Sequence, residues 1–70
     1  MEPTKEFLTR LVEMADKNGE IAFTSNTRRD LETAVDLGIM KPVSGKFRMV
    51  EEGHLNSIYR IIDWERIRHD

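Results

Sequence analysis

The chain has no cysteine, which excludes a disulfide framework and any thiolate metal site. No apolar run approaches the roughly 18 residues needed to cross a bilayer. The opening residues, MEPTKEF, lack the profile of a signal peptide, so a cytoplasmic location is expected. Neither charge sign dominates: the net charge is −2, which does not mark a general nucleic-acid binder. The usual constellations of catalysis are missing as well. No serine is flanked like a nucleophile, and no carboxylate pair has a spacing that implies acid–base work. His54 and His69 are too far apart to form a motif, and Glu51, Glu52 and His54 lack a fourth metal ligand. SGK at Ser44–Lys46 is similar to the end of a phosphate-binding loop, but the first glycine is absent and Phe47 replaces the hydroxyl residue, so a turn is expected. An enzyme is not expected, nor a cofactor, nor a metal.

What is present fits a folded globule. Seventy residues make one domain, 1–70, with an apolar fraction of 39% and a charged fraction of 34%. A chain of this size buries only about 60% of the surface it exposes when unfolded, so one modest core is possible but no deep enclosed pocket. Charge is unevenly placed. Residues 1–23 and 51–70 each carry three basic and five acidic side chains, whereas residues 24–50 carry five basic and three acidic. The middle third is therefore the candidate anion-facing surface.

Helical periodicity predicts a first helix from Pro3 to about Lys17. Phe7, Leu8, Leu11, Val12 and Ala15 make one apolar stripe, and Lys17, Asn18 and Gly19 form a stop. Glu20 to Thr24 reads as a brief strand on the alternation of Ile21 and Phe23 with Ala22. A second helix follows. Ser25, Asn26 and Thr27 are all good capping residues; with Thr27 as the cap, Asp30 half-imitates a capping box. Leu31, Ala34 and Val35 share a face, Gly38 ends the helix with Ile39 folding back onto Ala34, and Pro42 prevents continuation.

The remainder reads as a hairpin of Lys46–Val50 and Ser57–Trp64, joined by EEGHLN with Gly53 and Asn56 as turn formers. Asp63 is placed to cap a last short helix, WERIRHD, with Trp64 and Ile67 on one side. Ile58, Ile62, Trp64 and Ile67 make the last strand and tail apolar on both faces. One face must cover the core; the other either packs on the first helix or meets a partner.

Two arginines, Arg28 and Arg29, open the second helix, where partial positive charge disfavours cations by roughly 0.3–1 kcal/mol each. Such a conflict between local preference and placement points to function. The plainer alternative is a solvated face on which Arg28 pairs with Glu32 one turn on.

The stretches RRDLETAVDLGIMKP and SGKFRMVEEGHLNSIYRIIDW, in this order, resemble the winged-helix DNA-binding domain of small phage and plasmid proteins over residues 20–64. The resemblance implies an α+β fold: an N-terminal helix, a short strand, a second helix acting as recognition helix, and a C-terminal β-hairpin wing. It departs from the family between Asn18 and Asn26, a stretch too short to hold a middle helix with its turns. The function so implied is that of a small DNA-binding regulator. Ser25, Asn26, Thr27, Arg28 and Arg29 would meet duplex DNA from the second helix, and Lys41, Lys46 and Arg48 from around the wing base. Glu51 and Glu52 in the wing would repel phosphate. They favour the alternative, a phage-type inhibitor or adaptor that binds one host protein on the same scaffold. A homodimer fits either reading.

Overall fold

The computed structural model describes residues 3–68. Thr4, not Pro3, starts the first helix: its hydroxyl accepts the amide of Phe7 at 3.1 Å, and α1 spans Lys5–Met14. The capping bond satisfies an amide that the helix itself leaves unpaired, which places Pro3 outside. α1 ends short of Lys17 because Asp16 competes for the backbone. The Asp16 carboxylate accepts the amides of Asn18 and Glu20, at 2.8 and 3.1 Å, and so closes a turn instead of another helical step. Gly19, at φ +74°, carries the chain out of that turn.

β1 is Glu20–Ala22, two residues shorter than the expected strand. α2 spans Arg28–Asp36, with Leu31 and Ala34 fully buried. Its C-terminus is closed as expected by Gly38 at φ +77°. The Gly38 amide donates to Val35 O and the Ile39 amide to Ala34 O, the paired bonds of a Schellman stop.

β2 is longer than expected, Met40–Met49, and takes in Pro42. It pairs antiparallel with β3, Leu55–Ile61, and β3 also pairs with β1, so the sheet order is β1-β3-β2. β2 is thus an edge strand, which is where a residue without an amide hydrogen is tolerated. Pro42 stands opposite Tyr59 and Phe47 opposite Ser57, so residues 43–46 face only Ile58. The expected SGK turn lies inside this bulge. β3 stops at Ile61, earlier than the expected Trp64, because Asp63 takes the amide of Arg66 at 3.1 Å and starts α3, Trp64–Arg68. The part of the expected tail at His69 and Asp70 lies outside the described residues.

Strand alternation gives the sheet two unlike faces. Ile21, Met40, Tyr59 and Ile61 share one face. There Ile21, Met40 and Ile61 join Leu8 and Leu11 of α1, Leu31 and Ala34 of α2, and Ile39 in a single core cluster. Burying each of these larger aliphatic side chains stabilises the fold by about 1.5–3 kcal/mol. Phe23 stacks on Tyr59 at the edge of the cluster, with ring centroids 5.3 Å apart. Trp64 and Ile67 pack against the cluster from α3, so most of the apolar tail serves the core, while Ile62 stays exposed. The protein is a small α+β domain whose element order and sheet order are compatible with a winged-helix-like layout. Only residues 23–27 separate β1 from α2.

Candidate nucleic-acid and protein interface

The link from β1 to α2 determines where the two arginines sit. Thr27 makes no capping bond with its side chain, and its backbone is already helical at φ −105° and ψ −7°. The turn before it is closed by Thr24. Its hydroxyl accepts the amides of Asn26 and Thr27, its carbonyl accepts the amide of Arg28 at 2.9 Å, and the Thr27 hydroxyl accepts the Thr24 amide at 2.9 Å. This is the reciprocal geometry of a capping box, with threonine in the place usually held by glutamate or glutamine. This capped turn precedes α2, whose N-cap is Thr27, so Arg28 and Arg29 are the first two residues of the helix. Both cations therefore stand in the first turn of α2, where the helix dipole disfavours them, and the conflict read in the sequence remains. Asp30 does not serve the cap. Its carboxylate receives two hydrogen bonds from Arg10 of α1, at 2.9 and 3.1 Å, which hold the Asp30 carboxyl below its ordinary value and tie the two helices together.

The residues expected to meet an anion are only partly free. Ser25 and Asn26 are exposed on the capped turn. Thr27 is engaged: besides accepting from Thr24, its hydroxyl donates to Ala22 O at 2.7 Å. Arg28 lies 3.4 Å from Glu32 in a loose pair whose two side chains are more than half exposed. Arg29 is exposed and has no hydrogen-bonded partner among the described residues. Ser25, Arg28, Arg29 and Glu32 together line a shallow polar hollow.

The wing-base cations are placed differently. Lys41 stands opposite Arg60 and Arg48 opposite Asn56, on the sheet face turned away from the helices. That face is organised by Glu20, whose side chain is 1% exposed. Lys46 Nζ donates to both Glu20 oxygens, at 2.8 and 3.1 Å, and Arg60 donates to Oε2 from Nε and Nη2, at 3.0 and 2.6 Å. These bonds, Lys46 first, hold the Glu20 carboxyl below its ordinary value against the opposing effect of burial. Arg48 is paired with Asp16. The Asp16 carboxyl is also held low, mainly by the Glu20 amide that it accepts. Lys46 and Arg48 thus anchor the base of the hairpin to the turn after α1. Both are paired with the chain's own carboxylates, whereas Arg29 has no ion-pair partner among the described residues.

The helix-side face of the hairpin is apolar. Phe47 and Met49 of β2 stand opposite Ser57 and Leu55 of β3, on the face that continues from Tyr59 and Ile61. Phe47 is 57% exposed, Met49 58% and Leu55 68%; Val50, in the bend after β2, is 51% exposed. Glu51, Glu52 and His54 complete the tip, all exposed. The alternation of Phe47 and Met49 is visible in the sequence. Their exposure is not, because nothing local tells a strand's core-facing row from an outward one.

Comparison with known protein families, with curated proteins and with solved structures finds no match for this chain.

Proposed function

We propose that this protein is a protein-binding module on a winged-helix-like scaffold, an inhibitor or adaptor that docks through the helix-side face of its hairpin. The observation that carries this reading is the row of Phe47, Met49 and Leu55, each more than half exposed on a small domain that needs apolar groups for its core. Contiguous apolar surface of this kind marks interaction sites. The acidic tip, Glu51 and Glu52, specifies the chemistry of the counterpart: an apolar cleft with a basic rim. The test is affinity capture with the wild-type chain and with Leu55→Glu in parallel. A protein retained by the first and missing from the second is expected. Identical recoveries from both, together with tight binding of duplex DNA by the chain alone, would remove the reading.

A second reading, a small DNA-binding regulator, is supported by Arg29 and its neighbours Ser25, Asn26 and Arg28 on the open side of α2. In that reading α2 enters the major groove and the arginines bond phosphate or guanine bidentately. Calorimetric titration with duplex DNA at two salt concentrations tests it. Affinity should fall steeply with salt, and Arg28→Ala with Arg29→Ala should flatten the slope by about one for each phosphate left without its arginine. An unchanged affinity in the double variant excludes it.

A further inference from the structure

A groove runs between α1 and α3. Leu8, Val12 and Ile67 form its apolar part, and Lys5 and Arg68 stand at its rim with Thr9 and Glu13. Its volume of about 290 Å³ falls just under the roughly 300–1,000 Å³ of small-molecule pockets, so it suits a few side chains better than a cofactor. Val12, 42% exposed, is the one large apolar side chain of α1 that faces water to this degree. The groove is an apolar cleft with two cations, Lys5 and Arg68, and one carboxylate, Glu13, at its edge, so its rim carries a net positive charge. That is the counterpart called for by a hairpin tip carrying Met49, Val50 and Leu55 beside Glu51 and Glu52.

We infer that the hairpin of one copy of this chain docks in the α1–α3 groove of a second copy. This deepens the protein-docking reading above and rests on it, since it names the partner of the same hairpin face. Hairpin tip and groove lie at opposite ends of β3. Leu55 begins the strand at the tip, and α3 follows its far end, about 20 Å away at the rise of an extended strand. A hairpin anchored to the turn after α1 by Lys46–Glu20 and Arg48–Asp16 cannot fold back over that distance, so the contact is between molecules. Two different patches meet, so the association is head to tail and continues beyond two copies. One hairpin in one shallow groove belongs with weak encounters, below about 1,200 Å² of buried surface, and self-association should develop between about 10 µM and 1 mM.

Sedimentation of the full chain over that range tests the inference. The weight-average mass should rise from the monomer value of 8.2 kDa as concentration increases. Leu55→Glu removes the hairpin side and Val12→Glu the groove side, and each alone should remain monomeric. An equimolar mixture of the two variants retains one intact hairpin and one intact groove, so it should form a dimer and stop there. A second, charge-based pair covers the case in which a variant folds poorly. Glu51→Lys with Glu52→Lys should abolish association, and mixing with Lys5→Glu plus Arg68→Glu should restore it. A monomeric wild type up to 1 mM overturns the inference while leaving the capture experiment to judge docking on other proteins. So does association that persists in either single variant. Failure of both mixtures to associate likewise overturns it, since that result belongs to a hairpin-to-hairpin or groove-to-groove contact.

Discussion

Replacing Gly19 by alanine should be among the most damaging single-methyl additions this chain can suffer. Two separate costs meet there. Gly19 sits at φ +74°, where a residue with a Cβ loses roughly 1–2 kcal/mol. The added Cβ would also stand 2.6 Å from Cζ2 of Trp64, whose ring packs against the core. Overpacking of that kind costs about 1–3 kcal/mol. The sum, about 2–5 kcal/mol, is a large share of the roughly 4–10 kcal/mol expected for a domain of this length. Gly38→Ala supplies the control. Its φ is +77°, but a Cβ there meets nothing within 4 Å, so it should lose only the backbone part, about 1–2 kcal/mol. Urea unfolding followed by far-ultraviolet circular dichroism measures both, and the difference isolates the indole contact. In a Trp64→Ala background the Gly19→Ala cost should shrink to the Gly38→Ala level. If the two glycine variants agree within about 0.5 kcal/mol, or if the Gly19→Ala cost is unaffected by removing the indole, the reasoning is wrong.

Further outcomes follow from the same structure. Thr24→Ala should lower stability by about 0.5–2 kcal/mol in thermal unfolding, because it removes the bonds that cap the turn before α2. Leu31→Ala should cost about 2–5 kcal/mol in urea titration, while Leu55→Ala should stay within about 0.5 kcal/mol, because the first side chain is fully buried and the second faces solvent. Glu20 titrates below its ordinary value of 4.5 in the folded chain, so the unfolded chain takes up its proton first as pH falls. The stability it contributes is complete above that value and is lost as pH drops through the lower folded one. Melting temperature measured from about pH 5 to pH 2 should therefore fall less steeply in Glu20→Gln than in the wild type.

Much of the fold is legible wherever the signal is local. The Gly38–Ile39 stop of α2 and the cap at Asp63 each lie within a few residues and form where expected; the apolar spacing of α1 picks out its buried Leu8 and Leu11, while Val12 of the same stripe is 42% exposed and Ala15 lies past the helix end. The N-cap of α2 is Thr27, as expected, but its hydroxyl makes no bond into the helix and instead accepts the Thr24 amide in the turn before it. The Thr-x-x-Thr spacing is the signal for that reciprocal pair. β2 begins earlier than expected because Pro42 reads as a breaker until the strand order shows that it lies on an edge. The candidate site is less legible. Lys46 and Glu20 are 26 residues apart and Arg48 and Asp16 are 32 apart. No local pattern reports that two cations of the hairpin are already held by carboxylates of the chain's own first third. Charge counted by segment therefore counts as free cations two residues that the fold has already paired.

Trp64 is the one tryptophan in the chain, and it rests on the glycine that carries the backbone out of the turn after α1. Its emission spectrum is consequently a label-free reporter of a single joint, the seam where the closing helix meets the first third of the chain. A red shift at urea concentrations that leave the ellipticity intact would show the last helix peeling away before the sheet melts. Coincident transitions would show that this short terminal segment unfolds with the rest.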